Sequence, residues 1–352
     1  MLTAVVFIIV LGVLILVHEL GHFFTAKWLG VKVKEFGIGY PPTIWSINKN
    51  DTKYALNAIP LGGYVKLLGE DEEADGKDAF NNKKARVRLA VIVAGVVMNF
   101  VLAYFLLVIG YMIGMSPVAL DPSELPGEKT NQVLIVAVDS GTPAENAGIK
   151  AGDFVNGFTT IDDFVAYTGS HRGETVTLSI SRGGSQMDVP VTLRTDESVP
   201  ALGAALGGQG TKVKLNIGQA LVASGKEIGA FMVTIWEFLG RMISTLFGQG
   251  KLVEELSGPV GIYNITGQAV ELGFVYILQL AAILSINLGV VNILPFPALD
   301  GGRALFILIE GIARKRIIKQ EVEAVMHLVG FILLMLLIGV VTYREVVQLI
   351  IN

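Results

Sequence analysis

Apolar residues in this chain gather into long runs, not into the alternating or 3.6-residue stripes of a water-facing domain. Four such runs read as membrane spans of about 20 residues, the length that a hydrocarbon core of about 30 Å demands. They cover about Leu2 to Phe24, Leu89 to Met112, Phe274 to Leu294 and Val325 to Thr342. The first is not read as a secretory leader. It lacks a basic start and a small-residue cleavage site, and it runs straight into polar residues at His18, Glu19 and His22. Ala220 to Phe247, within a segment set at 215–250, is apolar in patches but interrupted by Lys226, Glu227, Glu237 and Arg241. That pattern suits an amphipathic or interfacial helix; a fifth span is the other reading.

Between the runs the periodicity changes. Val33–Ile38, Trp45–Ile47, Tyr54–Ile59 and Tyr64–Leu68 are short strand-like segments separated by Gly, Pro and Asn-Asp turns. They predict a membrane-associated β-hairpin region over about 31–70. Such backbone is tolerated at membrane depth only when buried in protein or lining water. A second polar region, 131–195, alternates as strands at Val133–Val138, Thr175–Ser181 and Met187–Leu193, with a turn at Gly183–Gly184. Within it, SGTPAENAGIKAGDFV resembles the strand–helix–turn of a PDZ domain. The expected fold is therefore a polytopic α-helical membrane protein carrying an inserted PDZ-like β-rich domain. Its membrane core is split into a first half, 1–115, and a second half, 255–352.

Composition sharpens this picture. The 352 residues are 52% hydrophobic and 16% charged, with no cysteine. Disulfides and thiolate metal sites are excluded, so a transition-metal site must use His, Asp or Glu. The net charge of −4 is small, and no basic tract or nucleic-acid motif occurs. Lys27, Lys32, Lys34 and the Lys83–Arg88 cluster flank the first loop; Arg303, Arg314, Lys315, Arg316 and Lys319 follow the third span. By the positive-inside rule both loops are cytoplasmic, both termini are outside, and the PDZ-like region is extracytoplasmic.

The chemistry centres on His18-Glu19-Leu20-Gly21-His22, an HExxH pattern on the first predicted helix. Positions i and i+4 share a helix face, so both imidazoles can reach one metal, and Glu19 is placed to act as a base on water beside it. Two of the chain's four histidines form this pattern, at the end of an apolar helix where polar groups are expensive. At 1.5 Å per residue they lie about 25–30 Å along the helix, toward the cytoplasmic leaflet. A catalytic zinc commonly takes three protein ligands. His171 and His327 are less well placed for the third than Asp300, which topology brings to the same depth after Pro295 and Pro297 break the third span.

Together these residues resemble the site-2 protease family of intramembrane zinc metalloproteases, over nearly the whole chain. HELGH matches that family's HExxH helix, NILPFPALDGG its NxxPxPxLDGG motif, and ELSGPVGI (Glu255 to Ile262) the segment before its third core span. The single PDZ-like insertion is similar to the bacterial branch that cleaves anti-sigma factors and signal-peptide remnants. The resemblance implies a zinc ion (Zn2+) held by His18, His22 and Asp300, with Glu19 as catalytic base. It also implies substrate-binding roles for Asn287, Asn292, Pro295 and Pro297, and a hairpin near Gly62–Leu68 that pairs with an unwound substrate. It further implies a bacterial cytoplasmic (inner) membrane location. The partners would be lipid and single-span membrane protein substrates; no nucleic acid is expected. The PDZ-like domain would act as a size filter admitting substrates already trimmed outside, or instead bind a peptide or trimmed substrate terminus. Two other classes compete: a catalytically silent membrane scaffold, which the complete set of four residues argues against, and a metal transporter. The latter lacks a chain of ionisable residues across the spans.

Overall fold

The structure, a computed structural model, describes residues 1–70, 74–158, 160–183, 185–249, 257–314 and 320–351. Gly184, Glu255, Leu256, Lys315, Arg316 and Lys319 lie outside the described residues. Helix α1 (Leu2–Trp28) leads into strands β1 (Val33–Lys49) and β2 (Thr52–Leu67), then helix α2 (Ala85–Ile113). There follow β3 (Glu128–Val138), α3 (Pro143–Asn146), β4 (Phe154–Asn156), α4 (Ile161–Ser170), β5 (Thr175–Arg182), β6 (Ser185–Thr192) and β7 (Ala204–Lys214). The described elements end with α5 (Ile217–Gln249), α6 (Pro259–Leu272), α7 (Phe274–Ile293), α8 (Asp300–Ala313) and α9 (Gln320–Ile351).

Among the described residues four helices are long and apolar enough to cross a membrane: α1, α2, α7 and the Val322–Ile350 part of α9. They overrun the apolar runs of the sequence because a helix does not stop where hydrocarbon does. Lys27, for example, continues α1 by regular hydrogen bonding beyond Phe24. Helix α5, with its four charges, does not meet the same standard.

The chain divides into two compact units. The first comprises Met1–Tyr104, Met232–Asn264 and Ala281–Asn352. Here the four strand-like runs are the legs of two long, bent strands. The hairpin turns at Asn50-Asp51, both at positive φ, as a two-residue type I′ loop requires. After the bend each strand pairs again, so Phe36 faces both Tyr54 and Val65, and Gly37 both Ala55 and Tyr64. The near end packs into a buried cluster with Phe23, Phe80, Val91 and Ile307. The far end leaves Ile44, Trp45 and Ile47 exposed.

The second unit comprises Phe105–Phe231 and Ile265–Leu280. Its sheet has the order β6-β5-β4-β3-β7, over a core of Val133, Ile135, Val155, Leu178, Ile180 and Val191 with Phe164 of α4. Thr160 and Asp163 form a reciprocal capping box that starts α4. The sheet extends beyond the expected 131–195 boundary: β7 pairs with β3 from Glu128↔Lys214 to Val138↔Ala204. Its AALGGQG run has almost no β-branched or aromatic content, so local pattern does not reveal it.

Candidate metal centre

One turn of α1 brings His18 and His22 onto a single buried face, 7% and 8% exposed. Helix α8 begins at Asp300 and carries it to the same point. Asp300 Oδ2 lies 3.0 Å from His18 Nε2 and 3.3 Å from His22 Nε2, and the two Nε2 atoms are 3.1 Å apart. Among the described residues this is the group whose ligand atoms could hold a metal.

The remaining ring nitrogens show what these atoms offer. His22 Nδ1 sits 2.8 Å from the Val91 carbonyl, which can only accept, so Nδ1 carries the proton and Nε2 presents a lone pair. As placed, the Asn99 amide sets Nδ2 3.1 Å from His18 Nδ1, and its Oδ1 is buried without a partner. A half-turn of that amide sets Oδ1 against Nδ1–H, and in that orientation His18 Nε2 also presents a lone pair. Ser285 Oγ donates to the Asn99 carbonyl at 2.8 Å, tying α7 to the same residue. Three electron-rich atoms thus converge, and Asp300 Oδ2 has no hydrogen-bond donor. The donors around a tetrahedral zinc with bonds of about 2.0–2.1 Å stand roughly 3.3 Å apart. The three side chains fit such an ion.

Glycine makes the room. A Cβ at Gly95 of α2 would collide with His22 Nε2 and stand 2.7 Å from His18 Cε1, so only glycine admits both rings. On the hairpin, a Cβ at Gly63 would sit 3.7 Å from Glu19 Cγ.

These groups open into a cavity of about 450 Å³ lined by His18, Glu19, His22 and Asp300, with Tyr40 and Tyr64 from the hairpin and Arg303 from α8. Arg303 pairs with Glu70. Asn287, Asn292, Pro295 and Pro297 do not line this cavity. Asn287, Asn292 and Pro297 are half-buried and Pro295 is exposed. The sequence reading missed Asn99, the Val91 carbonyl and Gly95. Their only local signal was an Asn within an apolar span, which marks an interhelical hydrogen bond in general.

A family profile described as Peptidase family M50 matches residues 6–337. The chain belongs to peptidase family M50. It is 35% identical to a Clostridium acetobutylicum protein provisionally named as a zinc metalloprotease, over 97% of each chain. It is 32% identical to the zinc metalloprotease RasP of Oceanobacillus iheyensis, over 99% of this chain and 100% of that one. The regulator of sigma-W protease RasP of Bacillus subtilis is 29% identical, over 99% of both. As an M50 member the chain is a peptidase, and the HExxH residues His18–His22 and the Asp300 helix both fall inside the matched residues.

Proposed function

We propose that this M50 peptidase is an intramembrane zinc endopeptidase that cuts peptide bonds within the membrane segments of single-span proteins. The observation that carries this reading is the convergence of three lone-pair donors, at 3.0–3.3 Å, beside Glu19 on a helix apolar enough to span a membrane. His18, His22 and Asp300 hold the metal. Bound there, zinc supplies Lewis acidity for the scissile carbonyl and lowers the pKa of water. Glu19 takes the proton of the attacking water on its carboxylate and passes it to the leaving nitrogen. The hairpin lies over the same cavity. Its tyrosines and backbone would hold the substrate as an added strand, because a helical peptide bond is shielded until its helix unwinds. Asn287 and Asn292, with Pro295 and Pro297, act on the unwound segment as it enters.

The protein would be multi-pass in a bacterial cytoplasmic membrane, with the metal toward the cytoplasmic leaflet and the 128–214 domain outside. We read that domain as PDZ-like. A groove of about 130 Å³ lies between α4 and β7, lined by Phe164, Val165, Thr168, Leu202, Ala204 and Leu206. Strand β7 is an edge of the sheet. An apolar groove at the Ala204–Leu206 end of this strand, away from the Val213 end that Met115 pairs with, suits the end of a trimmed substrate, such as an anti-sigma factor, more specifically than size exclusion does.

The test is cleavage of a single-span reporter by purified protein in detergent. Wild type should cut inside the span, and Glu19→Gln and a chelator should each abolish cutting. Cleavage that survives Glu19→Gln, or maps outside the span, would sink the proposal.

A further inference from the structure

Helix α9 supplies no ligand and no base, yet it grips the loop that delivers Asp300. Between α7 and α8 the chain turns tightly: Phe296 N donates to Leu294 O at 2.7 Å and Leu299 N to Phe296 O at 3.1 Å. Ala298 within this turn has φ +84°, a conformation that is expensive for a residue with a Cβ and persists only when its surroundings enforce it. The enforcing contact comes from α9. The Ala298 N–H donates to His327 Nδ1 at 2.8 Å. One turn further along α9, Gly330 lies against Pro297, whose carbonyl a Cβ at 330 would strike. His327 and Gly330 are three residues apart and so share one helix face. That face closes on two consecutive residues of the strained turn, ending two positions before Asp300.

The ring itself is held. Phe306 of α8 meets it edge-on, with centroids 5.9 Å apart, and the side chain is 13% exposed. Because Nδ1 accepts, the imidazole proton is on Nε2, which faces Glu323 Oε1 at 3.9 Å. The Glu323 carboxylate, one helical turn earlier on α9, lies within charge range of that N–H but beyond hydrogen-bonding distance.

We propose that His327 is a positioning residue for the reaction: its Nδ1 fixes the turn before α8 and so sets Asp300 in ligand geometry. This rests on the reading of His18, His22 and Asp300 as metal ligands. His327 also lines the cavity, but the role proposed for it runs through its Nδ1 and not through contact with substrate. It acts through the backbone of Ala298, as the hydrogen-bond partners behind metal ligands commonly do, and their loss typically weakens metal affinity by about 10–100-fold.

The experiment compares full-length, detergent-purified wild type with His327→Ala, His327→Phe, His327→Asn and, as a ligand control, His22→Ala. Zinc affinity is read by chelator competition, kcat and KM on a single-span reporter, and fold by limited proteolysis. Asparagine can present Oδ1 where imidazole presents Nδ1, whereas phenylalanine keeps ring volume without an acceptor. We expect Ala and Phe to weaken zinc binding about 10–100-fold and to lower kcat at near-constant KM. Asn should restore most of both. The inference fails if Ala and Phe bind zinc like wild type while His22→Ala does not, or if Asn is as impaired as Phe. Zinc retained by His22→Ala would overturn the ligand reading itself, and this inference with it.

Discussion

The side-chain amide of Asn99 lies 3.1 Å from Nδ1 of His18, the ring nitrogen on the side away from Asp300. A polar residue on α2, unremarkable in sequence, thereby bears on which nitrogen of His18 has a free lone pair: turned with Oδ1 toward Nδ1–H, the amide leaves Nε2 free. Asn99→Leu, close in volume but unable to accept, should weaken zinc binding about 10–100-fold by chelator competition. Asn99→Asp, which still accepts, should bind far more tightly than Asn99→Leu. Equal affinity for the two variants would remove Asn99 from the metal centre.

Gly95 supports a steric prediction. Adding one methyl there drives a carbon into both imidazoles, and the opposing atoms are ring atoms without freedom to withdraw. Gly95→Ala should therefore lose stoichiometric zinc and reporter cleavage together. Gly240→Ala, where a new Cβ meets nothing within 4 Å, should change neither. Metal content by elemental analysis separates these outcomes.

The helix that begins at Asp300 is anchored at its other end by charge. Glu310 of α8 and Arg88 of α2 pair at 2.5 Å, with side chains 9% and 13% exposed. Removing one partner leaves the other charge buried, which commonly destabilises by about 3–5 kcal/mol, whereas replacing both with apolar residues is often near neutral. Glu310→Ala should lower the unfolding midpoint in detergent clearly, and the double variant Arg88→Met with Glu310→Leu should recover most of it. Additive losses would show that the two side chains contribute independently.

Near the opposite end of α9, Glu345 Oε1 accepts the N–H of Gly258 at 2.6 Å and that of Gly261 at 3.1 Å. A carboxylate from a distant helix thus caps the start of α6, satisfying donors that have no partner inside their own helix. Glu345→Ala should loosen this end. Because the protein has no cysteine, a single Val260→Cys reporter can measure it: thiol labelling should speed up several-fold in the Glu345→Ala background. Unchanged labelling would mean that α6 is held by other contacts.

The parts legible in sequence were those carried by strong local signals. Long apolar runs announced the spans, and HELGH and LDGG announced the groups that meet at the cavity, because ligand chemistry restricts the residue types. The parts that stayed hidden depend on encounters between distant segments. The runs from Val33 and Tyr54 looked like separate strands because a bent strand loses its period-two pattern at the bend. Strand β7 was invisible because its place comes from pairing with β3, not from its own Ala and Gly residues. His327 reads as an ordinary polar residue near a helix start until Ala298, almost thirty positions earlier, is seen to donate to it.

The two histidines of α1 and the aspartate of α8 are separated by about 280 residues of chain. Synthesis proceeds from the N-terminus. During most of it, a membrane-inserted fragment therefore carries HELGH but only two of the three donors. Closing so long a loop is slow compared with forming local helices. On the proposed ligand set, a chain truncated or stalled before Asp300 lacks the third donor and would be inert toward its neighbours.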